Sequence, residues 1–495
     1  MKHDAAGPYA TLRSAVPDGV TPTEYRDAVI TAGFIDTHVH YPQVKMIGAY
    51  GAQLLEWLDR YTFPTELKFA DRDYAAAAAQ LFMRELLRAG TTTAAVYCTV
   101  HPQSVDAFFA ESVRYGTCMV AGKVLMDRNA PSGLLEPPQT AYDESARLIE
   151  RWHKKGRQLY CVTPRFAPTS TEGLLDAAGS LLRAHDGLYL QTHLSENLAE
   201  IEWVRSLFPA RAGYLDVYAH AGLASARSVF GHGIHLSEQE LCTCHATGAA
   251  LSHCPTSNLF LGSGLFRLFD VLDPRRPVRV GLGTDVGAGT SLSQLSTLGE
   301  AYKVAALQGH KLGAIQAFYL ATLGGARSLY LDGRLGRLAP GYAADVAVLD
   351  ARATPLLTAR TAHCGSLEDL LFVLMTLGDE PGGARDLRGR AQGVRPRRRV
   401  LVSCSAVCVA ETWGADSITG AVWCPGRLMT AEQHHNGSLA EHQRDRRHRS
   451  VPTSDAGHSL PGSWKADAAS VAARIRQAIP RYFASGSRDV GSPPC

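Results

Sequence analysis

The sequence predicts an α/β protein: a (β/α)8 TIM-type barrel with a small, incomplete β-domain and a disordered C-terminal tail. Three observations carry that prediction. Between Ala32 and Asp285, eight short β-branched or apolar runs alternate with longer amphipathic stretches, and eight such units close a parallel barrel. The polar residues that interrupt those runs (His38, His40, Arg165, His193, His232 and Asp285) fall at their C-terminal ends, where such barrels place their chemistry. No glycine-rich phosphate turn follows the first run, which argues against a doubly wound open sheet.

The expected strands are Phe34–His40, Thr92–Tyr97, Met119–Met126, Leu159–Phe166, Leu188–Ser195, Ser228–His232, Ala249–Cys254 and Val278–Asp285. Helical patterns lie between them, as in Asp73–Ala89 and Leu198–Leu207, and a further helix is expected over Gln316–Leu331. The segment Gly333–Ala351, with turn residues flanking AADVAVLD, reads as part of the small β-domain, and Ser366–Glu380 as a final helix. The expected domains are therefore 1–31 (remnant of the β-domain's first part), 32–331 (barrel), 332–380 (rest of the β-domain and last helix) and 381–495 (tail).

Bulk properties narrow the class. The 495 residues are 45% hydrophobic and 20% charged, and no apolar run approaches the ~20 residues of a membrane helix. The N-terminus lacks an apolar secretory stretch, and eleven scattered cysteines suggest no disulfide framework, so a reduced, cytoplasmic protein is expected. The Cys242-Thr243-Cys244-His245 cluster lacks the two-residue gap of a zinc knuckle and lies in a helical pattern, which favours core or boundary cysteines.

In FIDTHVH, residues two apart on a strand share a face, so Asp36, His38 and His40 can all point into the barrel mouth. Imidazole nitrogens are good ligands for Zn²⁺, although H-x-H alone is as well explained by two polar strand residues. His193 and Glu196 in LQTHLSEN, and His232 in FGHGIH, are each compatible with surface or core roles taken singly. Asp285 ends a very apolar run, and burying a carboxylate there without a partner is costly.

As a set, H-x-H followed by His, His and Asp at the ends of strands 1, 5, 6 and 8 resembles the amidohydrolase superfamily across Ala32–Asp350. Within it, FIDTHVHYPQ, LLEWLDRYTFP, GTTTA, VTPRFA, THLSEN, HCPTSNLFLGSG and GLGTDVGAG are similar to the guanine deaminase family. That resemblance implies one zinc per chain held by His38, His40, His193 and Asp285, with His232 orienting the attacking water. It implies a proton shuttle at Glu196 and a purine read by Gln43, Arg165 and Phe166, with His193, Glu196 and Asp285 also meeting the substrate. The activity implied is hydrolysis of guanine to xanthine and ammonia by a homodimer, with no nucleic-acid or membrane partner. The alternatives are a related aminopurine deaminase and the inactive product of a damaged gene. The position where binuclear relatives carry a modified lysine has no candidate in LYCVTPRFAPTS, which favours a single metal.

Both ends depart from the family pattern. Only about thirty residues precede Gly33, so the start reads as truncated. From Pro381 on, 17 Lys and Arg face 9 Asp and Glu, with RPRRR and RDRRHR runs and no periodicity. A permitted codon set for Pro381–Gly393, read with its first base dropped, gives RAVRATYVAGRK, which continues the expected family strand. The tail is therefore expected to be frameshifted and disordered, with a nucleic-acid arm as the alternative.

Overall fold

A computed structural model describes residues 27–50 and 53–378, Tyr25, and backbone strands at 3–8, 384–386, 400–404, 421–424 and 429–430. Eight parallel strands form the barrel. They are β2 (Phe34–His40), β3 (Thr91–Tyr97), β4 (Cys118–Gly122), β5 (Gln158–Pro164), β6 (Tyr189–Leu194), β7 (Ser228–His232), β8 (Ala250–His253) and β9 (Arg279–Leu282). They neighbour one another in chain order, and the seam between first and last is bridged beyond the strand end, where Asp285 N donates to His38 O (2.8 Å) and His40 N to Val286 O (2.9 Å). Each predicted strand is present, shorter by a few residues where the run continues into the rim.

Helices form where apolar spacing and capping agree. In α1 (Arg72–Arg88), Ala75, Ala78, Ala79, Phe82, Met83, Leu86 and Leu87 form one buried face, and the Asp71 side chain accepts from Asp73 N and Tyr74 N. In α2 (Leu198–Leu207), Asn197 and Glu200 make a reciprocal capping box, which fixes the chain's exit from β6. The expected Gln316–Leu331 helix is a helical run from Ala314 to Ser328 containing a wider turn at Leu320–Gly324. Ala326, Leu329, Leu331 and Leu335 pack with Ile35, Ala95, Val120, Cys161 and Val229 in one cluster, which ties this helical run to the barrel strands.

The β-domain begins with β1 (Ala28–Ala32), which pairs antiparallel with β10 (Val346–Asp350), the strand expected from AADVAVLD. Ala28, Ile30, Ala32, Leu338, Ala344, Val346 and Val348 form its core. The last helix, α3 (Leu367–Leu377), is capped by Ser366. Of the segment from Pro381 onward, expected to be disordered, backbone strands are described at Ala384–Asp386, Val400–Cys404, Ala421–Cys424 and Met429–Thr430; the rest, with the Arg-rich runs, lies outside the described residues. No described helix is long and apolar enough to cross a membrane.

The rim of the barrel is conformationally unusual. Ser195, His232 and Asp285 adopt left-handed backbone angles (φ 47°, 68° and 50°), which non-glycine residues rarely do. All three sit just past or at strand ends, and such conformations concentrate at functional sites.

Candidate active site

Five strand ends bring the chemistry together. His38 and His40 come from β2, Arg165 and Phe166 from the turn after β5, His193 and Glu196 from the end of β6, His232 from β7, and Asp285 from the turn after β9. His40, Gln43, Arg165, Phe166, His193, Glu196, His232 and Asp285 line one cavity together with Leu54, Trp57, Leu58, Leu261 and Ala288. His38 lies against this group, 3.2 Å from Asp285. Every site residue expected from the sequence is thus at or beside one cavity.

The polar atoms converge as metal ligands do. His40 Nε2 lies 3.3 Å from His38 Nε2 and 3.2 Å from His193 Nε2. Asp285 Oδ1 lies 3.2 Å from His38 Nε2 and 3.3 Å from His40 Nε2. Four bonds of about 2.0–2.1 Å to one cation require neighbouring ligand atoms about 3.3 Å apart, so the spacing fits. His193 Nδ1 is 2.7 Å from the Arg165 carbonyl, which makes Nδ1 the donor and leaves Nε2 a lone pair aimed at the cluster. Burial pushes the imidazoles down, His40 to about 3 and His193 well below the usual range, the latter helped by the neighbouring histidines. They are neutral, as ligands must be. Burial alone would raise Asp285, but His38, His40 and His232 hold it well below the carboxylate range, so it is ionised.

His232 stands slightly apart. Its Nδ1 pairs with Asn258 Oδ1 (2.9 Å), while its Nε2 faces Glu196 Oε2 (3.3 Å) and Asp285 Oδ2 (3.7 Å). His38, His193, His232 and Asp285 also offer ligand atoms within 4.8 Å of one another, so His232 borders the metal position. The contacts that link His40 to His38, His193 and Asp285, and His38 to Asp285, are tighter than that of His232 to Asp285. The Cys242–His245 stretch forms no such group among the described residues; Cys244 is a buried free thiol in a helix.

Glu196 is fully buried, and burial together with the Asp285 charge pushes its carboxyl up to about 8. At neutral pH it holds its proton while Asp285, in the same cavity, does not. Two carboxylates with environments that split their pKa values are the arrangement general acid–base work requires. The Ser263 hydroxyl donates to Glu196 Oε1 (3.2 Å).

Asp36 departs from expectation. It does not line the cavity; it accepts from His38 N (3.1 Å), Thr284 N (3.1 Å) and Thr284 Oγ1 (2.5 Å). The β2–β3 register shifts between Asp36 and Val39, which breaks the strict alternation that placed it beside the histidines. Its role here is to clamp the first strand to the turn carrying Asp285. Sequence reasoning also missed Glu66, fully buried, whose carboxylate pairs with Arg165 Nη1 (2.8 and 2.9 Å) and accepts from Gln43 Nε2 (3.3 Å). Only its place two residues past the YTFP run could have pointed to it. The buried Lys123, after β4, turns to Glu136 and Glu144 rather than to the cavity.

Close packing behind His38 yields a prediction. A Cβ at Gly231 would sit 2.4 Å from His38 Cε1 and 2.6 Å from Nδ1. Gly231→Ala is expected to displace that imidazole and to lower metal content per purified chain; a full metal complement would show that His38 is not a ligand.

The fold and this site define a metal-dependent hydrolase built on a (β/α)8 barrel. Residues 29–375 match the Amidohydrolase family. Guanine deaminase of Escherichia coli strain K12 is 51% identical over 374 residues, covering 76% of this chain and 85% of that protein. Its solved structure superposes with a TM-score of 0.75 at 50% identity, over 77% of this chain and 88% of that one. A guanine deaminase from C. acetobutylicum with guanine bound in its active site gives 0.67 at 31% identity, over 72% and 85%. A Xanthomonas campestris adenosine deaminase with bound zinc gives 0.62 at 25% identity, over 70% and 76%. The chain belongs to the amidohydrolase family and, within it, to the guanine deaminases.

Proposed function

We infer that the enzyme hydrolyses guanine to xanthine and ammonia with zinc as its metal. The observation that carries this reading is the meeting, in one cavity, of a four-ligand cluster, a protonated Glu196 and a Gln43–Arg165 edge suited to a purine's polar rim. Zinc is favoured by the three-imidazole, one-carboxylate donor set and by the zinc-bound relative. The reading extends to a cytoplasmic homodimer on the family resemblance alone. It is tested by whether the purified chain forms xanthine and ammonia in equal amounts from guanine.

His38, His40, His193 and Asp285 would hold the cation, which would supply the Lewis acidity that makes water a nucleophile near neutral pH. Asp285, ionised and with Oδ2 turned away from His38 and His40, accepts the proton of the attacking water. His232 Nε2, between Asp285 and Glu196, orients that water. Glu196 gives its proton to the ring as the C2–O bond forms and relays the proton taken up by Asp285 to the amine as the C2–N bond breaks. Phe166, close to His193 and Trp203, walls one side of the purine.

Arg165 holds the substrate by directional donors that a lysine cannot reproduce. Arg165→Lys is expected to raise KM for guanine by about ten- to a hundredfold while bound metal stays at the wild-type level; an unchanged KM would remove Arg165 from the purine site.

A further inference from the structure

Gln43 and Arg165 reach the cavity from distant parts of the chain, and one buried side chain holds both. Glu66 ends a helical turn, Phe63–Glu66, and is fully shielded from solvent. Both its oxygens take Arg165 Nη1, which leaves Nε and Nη2 of that guanidinium as the groups free to face a ligand. The Phe63 ring, 5.6 Å from the guanidinium carbon, backs the same group.

The Gln43 amide is fixed from both ends. Gly287 N–H can only donate, so the atom 3.1 Å away must be Oε1. The Glu66 carboxylate can only accept from an amide, so the atom facing it must be Nε2. Each neighbour independently demands the same orientation, with the amide oxygen occupied and an N–H left over. The Gln43–Arg165 edge of the cavity is therefore built from donors alone.

We propose that Glu66 is a positioning residue that, together with Gly287 N–H, holds this edge donor-only, and that through it the enzyme selects a purine with an oxygen at C6 over one with an amine there. A 6-oxo group accepts from such an edge, whereas a 6-amino group would set donor against donor. A site built on buried polar groups rejects the wrong partner strongly because those groups are left unpaired. The inference rests on the guanine reading and adds the residue that enforces its selectivity.

Guanine and 2,6-diaminopurine, which share the 2-amino group and differ at C6, are the probes. In the wild-type enzyme, 2,6-diaminopurine is expected to be a poor substrate and a poor competitor, at least about tenfold weaker than guanine. Glu66→Gln puts an amide that can donate where only an acceptor stood, so a turned-over Gln43 is opposed by Gly287 N–H alone instead of by both neighbours. Its kcat/KM for guanine is expected to fall about ten- to a hundredfold, chiefly through KM, while the guanine preference over 2,6-diaminopurine narrows by a similar factor. Glu66→Asp, which keeps the charge but withdraws it, is expected to shift both quantities the same way by less.

A merely structural Glu66 would lower both substrates alike and leave the preference intact; that result overturns the proposal, as does a wild-type enzyme that binds 2,6-diaminopurine as well as guanine. Should neither variant yield folded protein, the wild-type comparison decides. A wild-type chain inactive on guanine would instead overturn the functional reading.

Discussion

Glu196→Gln is expected to lower kcat on guanine by about 10²–10⁴-fold, the usual worth of a positioned proton donor, while metal stays bound. The amide keeps the shape of the side chain, and Ser263 and His232 still have partners for it. It cannot release a proton to the ring or to the leaving amine. Because Glu196 is not one of the four ligands, metal per chain should match the wild type by elemental analysis. KM should change little, since the loss falls on the transition state. Retained turnover would show that another group moves the proton.

Asp285→Asn should be more damaging, because one oxygen meets the imidazoles of His38 and His40 while the other faces His232. The substitution removes both a ligand charge and the base that takes the water's proton. A loss of about 10⁴-fold or more in kcat/KM is expected, together with reduced metal retention after dialysis against a weak chelator. Adding excess zinc should refill the site without restoring the rate. Full recovery with zinc would mean that Asp285 binds metal but does no proton chemistry.

Much of this site was legible in the sequence because barrel strands report it directly. An apolar run buried on both faces ends in a polar residue only where something holds that residue, so His38, His40, His193, His232 and Asp285 stand out in one dimension. The helices were legible for a similar reason, as the spacing from Ala75 to Leu87 shows. What escaped was whatever depends on convergence between elements. Glu66 lies in a short helical segment whose pattern resembles any surface turn, and its meaning arises only when Arg165, 99 residues later, folds onto it. Asp36 was misplaced because a one-residue register irregularity defeats an alternation rule, and no local composition marks that irregularity. Asn258, whose oxygen faces His232 Nδ1, is likewise informative only once its helix, Pro255–Phe260, meets the end of β7.

The most direct test of the account is to strip the enzyme of metal and return zinc in measured steps while following xanthine formation from guanine. Activity should vanish with the metal, rise in proportion to the zinc returned and stop rising at one ion per chain. Activity that survives complete removal, or that saturates only at two ions, would contradict a single cation held by His38, His40, His193 and Asp285.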